Sequence, residues 1–479
     1  MKPPPTNSPN TEGLTRQVNL GSALSLNMIN MIGVGPFITL PLVVAAMGGP
    51  QAMLGWILGA LIAVCDGLVW AELGAAMPQA GGSYAFLREI YGREAAGRWL
   101  SFLYIWQLGF SAPLSIASGC IGLSQYAAYL WPTLNRNASI AAHPRLSLSL
   151  TSFLAAATCI LVTLLLYRNV RAITRMAWVL WAGVIFTMAA VIIAGFTHFH
   201  PALAFTLPPN AFTLSPAFFE GLGAAMLITT YDYWGYYNVA FLGAEVRNPG
   251  RNIPRAIMLS IALVGALYLL LSVSVLGVLP WQELSAAVKT QGHFAVVAVV
   301  MQRTVGPLAG RIVAALVMWT AFASVFALLM AYSRVPYAAA LDGNYFRIFG
   351  KLHQRHRIPH ISLIALGAVA TLFCFFPLPE VIAALVAIRI LLQFILQQVG
   401  VIVLRLREPQ LPRPFRLWLY PLPPILALAG FLFILFSRKD ASKEFLYAAA
   451  IATSGSAIYF TRAFVRKEWP FDKHTKLYI

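Results

Sequence analysis

From Ile32 to Pro41 the chain reads Ile-Gly-Val-Gly-Pro-Phe-Ile-Thr-Leu-Pro, with two glycines and a proline in the middle of an apolar segment. A helix that crosses a bilayer has to satisfy its own backbone, because hydrocarbon offers no hydrogen-bond partner. Pro36 has no N–H to donate, and Gly33 and Gly35 weaken the helical preference beside it. Such a break survives within a membrane only where protein or a water-filled cavity surrounds it. For one isolated segment, a proline kink in an ordinary helix accounts for the pattern equally well. A second interrupted segment tips the balance. Tyr231-Asp232-Tyr233-Trp234-Gly235-Tyr236-Tyr237-Asn238 puts a charge, a glycine and five aromatic residues where a membrane centre should be. Paired interruptions in corresponding positions of two halves are the best sequence pointer to a solute site at the midplane.

Composition sets the class. Of 479 residues 59% are hydrophobic and only 10% charged, far more apolar surface than a soluble domain of this size needs. Twelve apolar segments are long enough to span a bilayer, at about 20–46, 51–77, 97–130, 146–167, 173–197, 217–244, 254–280, 308–337, 360–376, 379–403, 421–437 and 443–464. The first nineteen residues are polar and proline-rich, lack a signal-peptide pattern and read as a disordered cytoplasmic tail. The net charge of +18 could suggest nucleic acid, but its distribution argues otherwise. With the amino terminus inside, 25 of the 34 Lys and Arg residues fall in inner tails and loops and 8 in outer ones. That asymmetry is the positive-inside pattern, so the expected partner is the lipid bilayer and not nucleic acid. Arg438, Lys439 and Lys443 dissent on the outer side. Cys65, Cys120, Cys159 and Cys374 lie in apolar segments without metal-ligand spacing and read as packing residues. Asn137-Ala138-Ser139 is a glycosylation sequon on the outer side.

Numbered from the cytoplasm, the first segment runs outward and the sixth inward. Five helices therefore repeat as five of opposite topology, with two left over. The expected fold is an all-α membrane protein of 12 transmembrane helices, a 5+5 inverted repeat with discontinuous helices 1 and 6. Its parts are a tail at 1–19, repeats at 20–197 and 217–403, helices 11 and 12 within 421–464, and a cytoplasmic tail at 465–479.

Four motifs in this order resemble the amino acid–polyamine–organocation superfamily of transporters along nearly the whole chain. They are Gly33-Val34-Gly35-Pro36-Phe37 with Pro41; Ala71-Glu72-Leu73, Pro78 and Gly81-Gly82-Ser83-Tyr84; Ala244-Glu245-Val246-Arg247-Asn248-Pro249 with Asn252-Ile253-Pro254-Arg255-Ala256; and Ser333-Arg334, Asp342-Gly343 and Ile358-Pro359. The resemblance implies the leucine-transporter fold and alternating access. Many members read Gly-Ser-Gly-Ile or Gly-Ser-Gly-Val at the first break, and this chain departs from them there. Asp66 and the Gly-Pro-Phe at the first break resemble plant and protozoan polyamine transporters instead.

Charges within the membrane are costly and point to function. Asp66 lies midway along the second segment, Asp232 in the sixth-helix break, and Arg389 near the middle of the tenth segment. Either they form an internal salt bridge that only neutralises buried charge, or a carboxylate faces a cavity, where it meets an ammonium or takes a proton. Arg389 could equally meet a substrate carboxylate; the expectation here is that it makes a salt bridge within the protein. Glu72 and Glu245 lie toward the inner ends beside basic loops and are expected to pair with arginines such as Arg88 or Arg247, bracing a cytoplasmic gate. Tyr231, Tyr233, Trp234, Tyr236 and Tyr237 suit an amine-binding box, since aromatic faces attract ammonium groups. The expected substrate-contact set is Gly33, Val34, Gly35, Pro36, Trp106, Tyr231, Asp232, Tyr233, Trp234, Gly235 and Tyr236, with Gln107 as the alternative to Trp106.

No His-Glu-x-x-His, nucleophile elbow or phosphate loop is present. The reading is therefore a secondary active transporter and not an enzyme, with no cofactor, no metal and no obligatory protein partner. A channel would need fixed pore helices, which the paired breaks disfavour. The expected substrate is a small organic amine, an amino acid ahead of a polyamine; the alternative reading is a transporter-like nutrient sensor. Thr320 and Ser324 could serve a sodium ion, but hydroxyls also satisfy helix carbonyls, and the reading leans toward proton coupling or exchange.

Overall fold

The first break divides one apolar segment into two helices, α1 (Leu20–Ile32) and α2 (Gly35–Met47), which meet at 43°. This computed structural model describes residues 14, 16–135, 149–168, 170–291, 295–376, 386, 388–437 and 441–471. The sequon at Asn137, the outer cations Arg438 and Lys439, and most of both tails lie outside the described residues.

Next come α3 (Met53–Ala76), α4 (Ser83–Ile90), α5 (Ala96–Leu130), α6 (Leu150–Leu165), α7 (Val170–Thr197) and α8 (Pro201–Phe205). They are followed by α9 (Pro216–Tyr233), α10 (Asn238–Phe241), α11 (Pro249–Leu276), α12 (Trp281–Gln291), α13 (Val296–Thr304) and α14 (Pro307–Tyr332). The chain continues through α15 (Arg334–Leu341), α16 (His360–Phe373) and a π-helical turn, Ile390–Phe394, that leads into α17 (Ile395–Arg407). It closes with α18 (Leu422–Phe436) and α19 (Ala441–Arg466). Among the described residues the fold is helical, with only two isolated β-bridges.

Among the described residues six helices are long and apolar enough to cross a membrane, or seven when α1 and α2 count as one span, and α6, α16 and α18 are shorter apolar helices. The chain is thus an all-helical, multi-pass membrane protein. Its outward faces are apolar: Phe153 and Leu164 on α6 and Phe186 and Ile193 on α7 are exposed, while Cys159, Val184 and Met188 on the same helices are buried. Lipid takes the place of water on those faces. The apolar segments leave a gap between 280 and 308, where α12 and α13 fold; both are too short to span a bilayer.

Start signals act as residue chemistry dictates. The Asn19 side chain accepts from Ser22 N (2.8 Å) at the start of α1, and Ser215 accepts from Phe218 N (3.2 Å) with Pro216 in the first turn of α9.

Both breaks are shorter than expected. Only Gly33 and Val34 leave the helix, because Pro36 sits in the first turn of α2, where its missing N–H costs nothing. In the second break α9 runs on through Tyr231, Asp232 and Tyr233, and Trp234 N still donates to Thr230 O (3.2 Å). The chain turns at Gly235 and resumes as α10. Gly33 (φ 42°) and Gly235 (φ 129°) hold backbone conformations that a side chain disfavours.

The two breaks are fastened to each other. Asn27 of α1 donates to Tyr236 O and accepts from Val239 N (3.0 Å). The Tyr268 hydroxyl of α11 reaches the carbonyl oxygens of both Met31 and Asp232 (3.1 Å for the latter). One hydroxyl therefore serves carbonyls at the ends of both α1 and α9, groups a helix cannot satisfy itself. Around this centre α3 packs on α9 and α11, and α5 on α14.

Candidate functional site

A tight cavity of about 50 Å³ lies between the breaks. Gly33, Val34 and Gly35 line it from the first break, and Tyr231, Asp232, Trp234 and Tyr237 from the second. Ser115, Ser118 and Gly119 of α5, Ser324, Leu328 and Tyr332 of α14, and Arg389 complete most of the wall.

Asp232 is 2% exposed. Its Oδ2 accepts from the Thr39 hydroxyl, one turn into α2, while Oδ1 has no protein partner. A Cβ at position 35 would run into that free oxygen, so the carboxylate and the first turn of α2 approach closely only because residue 35 is glycine.

Arg389 is likewise 2% exposed. Nη1 donates to the Tyr237 hydroxyl (3.4 Å) and Nη2 to Ser111 O (3.3 Å), whereas Nε has no partner. The guanidinium lies over the rings of Tyr332 (5.1 Å) and Trp234 (5.7 Å). Among the described residues no carboxylate is within ion-pair distance of Arg389, so the expected salt bridge has no partner there. Aromatic faces and a backbone carbonyl hold the cation instead. The π-helical turn starts at the next residue, a local distortion often found at functional sites.

Six of the eleven expected contact residues line this cavity: Gly33, Val34, Gly35, Tyr231, Asp232 and Trp234. The other five do not. Pro36 is buried within α2. Gly235 presses on the backbone of Asn30 and Met31. Tyr233 turns to α3, its hydroxyl donating to Trp56 O (3.3 Å). Tyr236 donates to Asp66 Oδ2. Trp106 points to the last helix, with Nε1 donating to Ser454 (3.2 Å). Successive residues around a break fan out in different directions, and sequence proximity cannot say which of them face inward.

Asp66 is fully buried outside the cavity wall, accepting from Tyr236 and from the Gln398 amide. Glu72 and Glu245 do form buried ion pairs, but with different partners from those expected. Glu72 holds Arg405 and Arg413 (3.4 Å for Arg413) and also accepts from Leu417 N (2.8 Å). Glu245 holds Arg334 (2.9 Å). Arg88 instead pairs with Asp342 (2.8 Å) and Glu94 (3.4 Å), and Arg247 donates to Arg16 O (3.2 Å). The true partners lie far along the chain, where only folding brings them. The Thr320 hydroxyl is spent on Val317 O (2.8 Å), while Ser324 lines the cavity.

Sequence reasoning missed Thr39, Ser118 and Tyr332. Ser118 bonds the Tyr231 hydroxyl (2.8 Å). Ser115, Ser118 and Gly119, small residues three and four apart on one face of α5, were the available signal. No cluster of three metal-ligand side chains occurs among the described residues.

A cavity framed by two helix breaks, with a carboxylate and a guanidinium left unneutralised inside an apolar bundle, defines a membrane carrier for a small polar solute. The chain belongs to the amino acid permease family, whose model matches residues 19–465. It is similar to a methylthioribose transporter of Bacillus subtilis, 26% identical over 92% of this chain and 92% of the relative. It is also similar to a branched-chain amino acid permease of Lactococcus lactis (26%, covering 91% and 93%) and to a serine/threonine exchanger of Bacillus subtilis (26%, covering 88% and 91%).

Proposed function

We propose that this permease is a secondary active transporter that carries a zwitterionic amino acid by alternating access. One observation carries the reading: Asp232 and Arg389 line the same cavity, are buried, and pair with no opposite charge among the described residues. A buried charge without a counter-charge is expensive. An α-amino acid supplies both missing partners at once, its ammonium to Asp232 Oδ1 and its carboxylate to the Arg389 fork.

The Asp232 carboxylate stands at the first turn of α2, where Gly35 lets it approach and Thr39 holds its other oxygen. The rings of Tyr231, Trp234 and Tyr332 complete the box. Because the cavity is smaller than an amino acid requires, entry needs the walls to part, and the broken helices are where the chain bends most easily.

The wider frame belongs to the same proposal: twelve spans, with 20–197 and 217–403 as inverted repeats of the leucine-transporter kind, helices 11 and 12 within 421–464, and both termini cytoplasmic. The two breaks, each a glycine turn between half-helices, support it. For coupling, Asp66 and Asp232 are the described buried carboxylates that lack a cation, and they are the candidates to carry a proton. A polyamine is disfavoured, because Arg389 would repel it. A neutral sugar derivative, such as the first relative's name implies for that protein, would leave both charges unanswered here.

The test is a thermal-stability screen of the purified chain against amino acids, polyamines and methylthioribose, since a ligand bound to the folded state raises apparent stability. Uptake into liposomes containing this chain alone then follows. Stabilisation and uptake confined to α-amino acids is the expected result; response only to polyamines or to the sugar overturns the substrate reading, and single-channel current overturns the carrier.

A further inference from the structure

A second cavity, larger than the central one, lies apart from it. A groove of about 870 Å³ lies at the first turns of α11, against the 414–418 segment that precedes α18. Its walls are mainly apolar, from Leu20, Met258, Phe415 and Trp418 among others, and its polar edge carries Arg251 and Arg255.

Three features of these two arginines bear on what the groove holds. Both are exposed, and neither side chain has a hydrogen-bond or carboxylate partner among the described residues. By contrast Arg88, Arg98, Arg334, Arg405 and Arg413 each hold a carboxylate. They also sit on one helical stripe: Arg251, Arg255, Leu259 and Leu263 follow at four-residue intervals, with Leu259 44% and Leu263 46% exposed. Residues four apart lie one above another on a helix, about 6 Å apart along its axis. Two cations therefore stand at the end of α11, and an apolar track runs from them into the bilayer. Trp418, 61% exposed and 6.0 Å from the Phe415 ring, stands beside that boundary, the depth that tryptophan prefers.

We propose that this groove is a binding site for an anionic phospholipid, with the headgroup phosphate on Arg251 and Arg255 and the acyl chains along Met258, Leu259 and the Trp418 ring. Charge complementarity selects the occupant. A zwitterionic lipid brings its own cation to the arginines, whereas an anionic one does not. A free phosphate would satisfy the arginines and leave the apolar track uncovered. The site is separate from the central cavity and stands whether or not the transport reading does.

Trp418 provides the measurement. In liposomes of phosphatidylcholine doped with brominated phosphatidylglycerol or with brominated phosphatidylcholine, the Trp418 signal is the difference between the parent chain and Trp418→Phe. The expected result is quenching at a mole fraction at least about fivefold lower for the brominated anionic lipid, the share that one arginine near the surface supplies. Arg251→Gln/Arg255→Gln should bring the two lipids to parity, while Arg251→Lys/Arg255→Lys should keep most of the preference and show that a charge is what matters. Equal quenching by both lipids in the parent chain overturns the proposal, as does a preference that survives the glutamine pair. Loss of the preference on adding millimolar inorganic phosphate or glycerol phosphate would assign the arginines to a soluble anion instead.

Discussion

Four carboxylates are buried in the described part of this protein beneath 3% exposure, and they divide into two kinds. Glu72 and Glu245, toward the helix ends, are matched by arginines from distant segments, and Glu72 accepts a backbone N–H as well. Asp66 and Asp232, near the breaks, have neutral donors only, and Asp232 keeps one oxygen free. Burial is equal and chemistry is not. A charge whose partner is built in holds the structure together; a charge left without one is available to a solute or a proton. The comparison also separates the cations, since Arg334 and Arg405 are consumed by carboxylates while Arg389 rests on rings and a carbonyl.

The contrast breaks first at the paired end. Glu245→Ala leaves Arg334 buried without a counter-charge and should cost about 3–5 kcal/mol of stability. A thermal melt of the purified variant checks it, and an unchanged midpoint would mean that Arg334 finds water or another acceptor. Asp232→Asn should behave in the opposite way. It strands no cation, so the melting temperature should stay near that of the parent chain, while amino acid affinity should fall at least tenfold, given that a lost buried charge pair costs about 2–5 kcal/mol. Calorimetric titration with the best ligand of the screen reads this; unchanged affinity would move Asp232 into the structural group.

Arg389→Gln sharpens the contrast by ligand class. Binding of carboxylate-bearing ligands should weaken by about tenfold, which corresponds to roughly 1.4 kcal/mol, with polyamine binding unchanged or improved. Equal loss of every ligand together with a lower melting temperature would show Arg389 to be a packing residue. The smallest effect is expected at Trp106→Phe, which removes the bond to Ser454, trims the ring contacts with Phe102 and Phe110 and should cost about 1 kcal/mol of stability. Its ligand affinity should be unaltered, and a clear drop in affinity would mean that Trp106 reaches the solute in another state of the transport cycle.

Much of this protein could be read without coordinates, and the reason is solvent. In a bilayer every helix must be long, apolar and self-satisfied, so membrane class and breaks appear in the sequence as local patterns: Gly33 to Pro36, and the aromatic run around Asp232 and Gly235. Glu72 and Glu245 could be recognised as paired for the same reason, because an unpaired carboxylate beside basic loops is improbable on energetic grounds alone. Which arginine answers which carboxylate was not readable. Glu72 and Arg405 are separated by 333 residues, and their meeting depends on how α3 and α17 pack. The same limit governs the cavity wall. Sequence nominates all the residues around a break, but a helix end turns neighbouring side chains in different directions. It took the packing of α3 and α19 to draw Tyr233, Tyr236 and Trp106 away from the cavity and leave Tyr231, Asp232 and Trp234 facing it. What sequence alone determined is where the backbone cannot remain helical, since that is a property of single residues and their neighbours. What only the tertiary structure decided is which charges remain unanswered, since a counter-charge is supplied by whatever folds beside it.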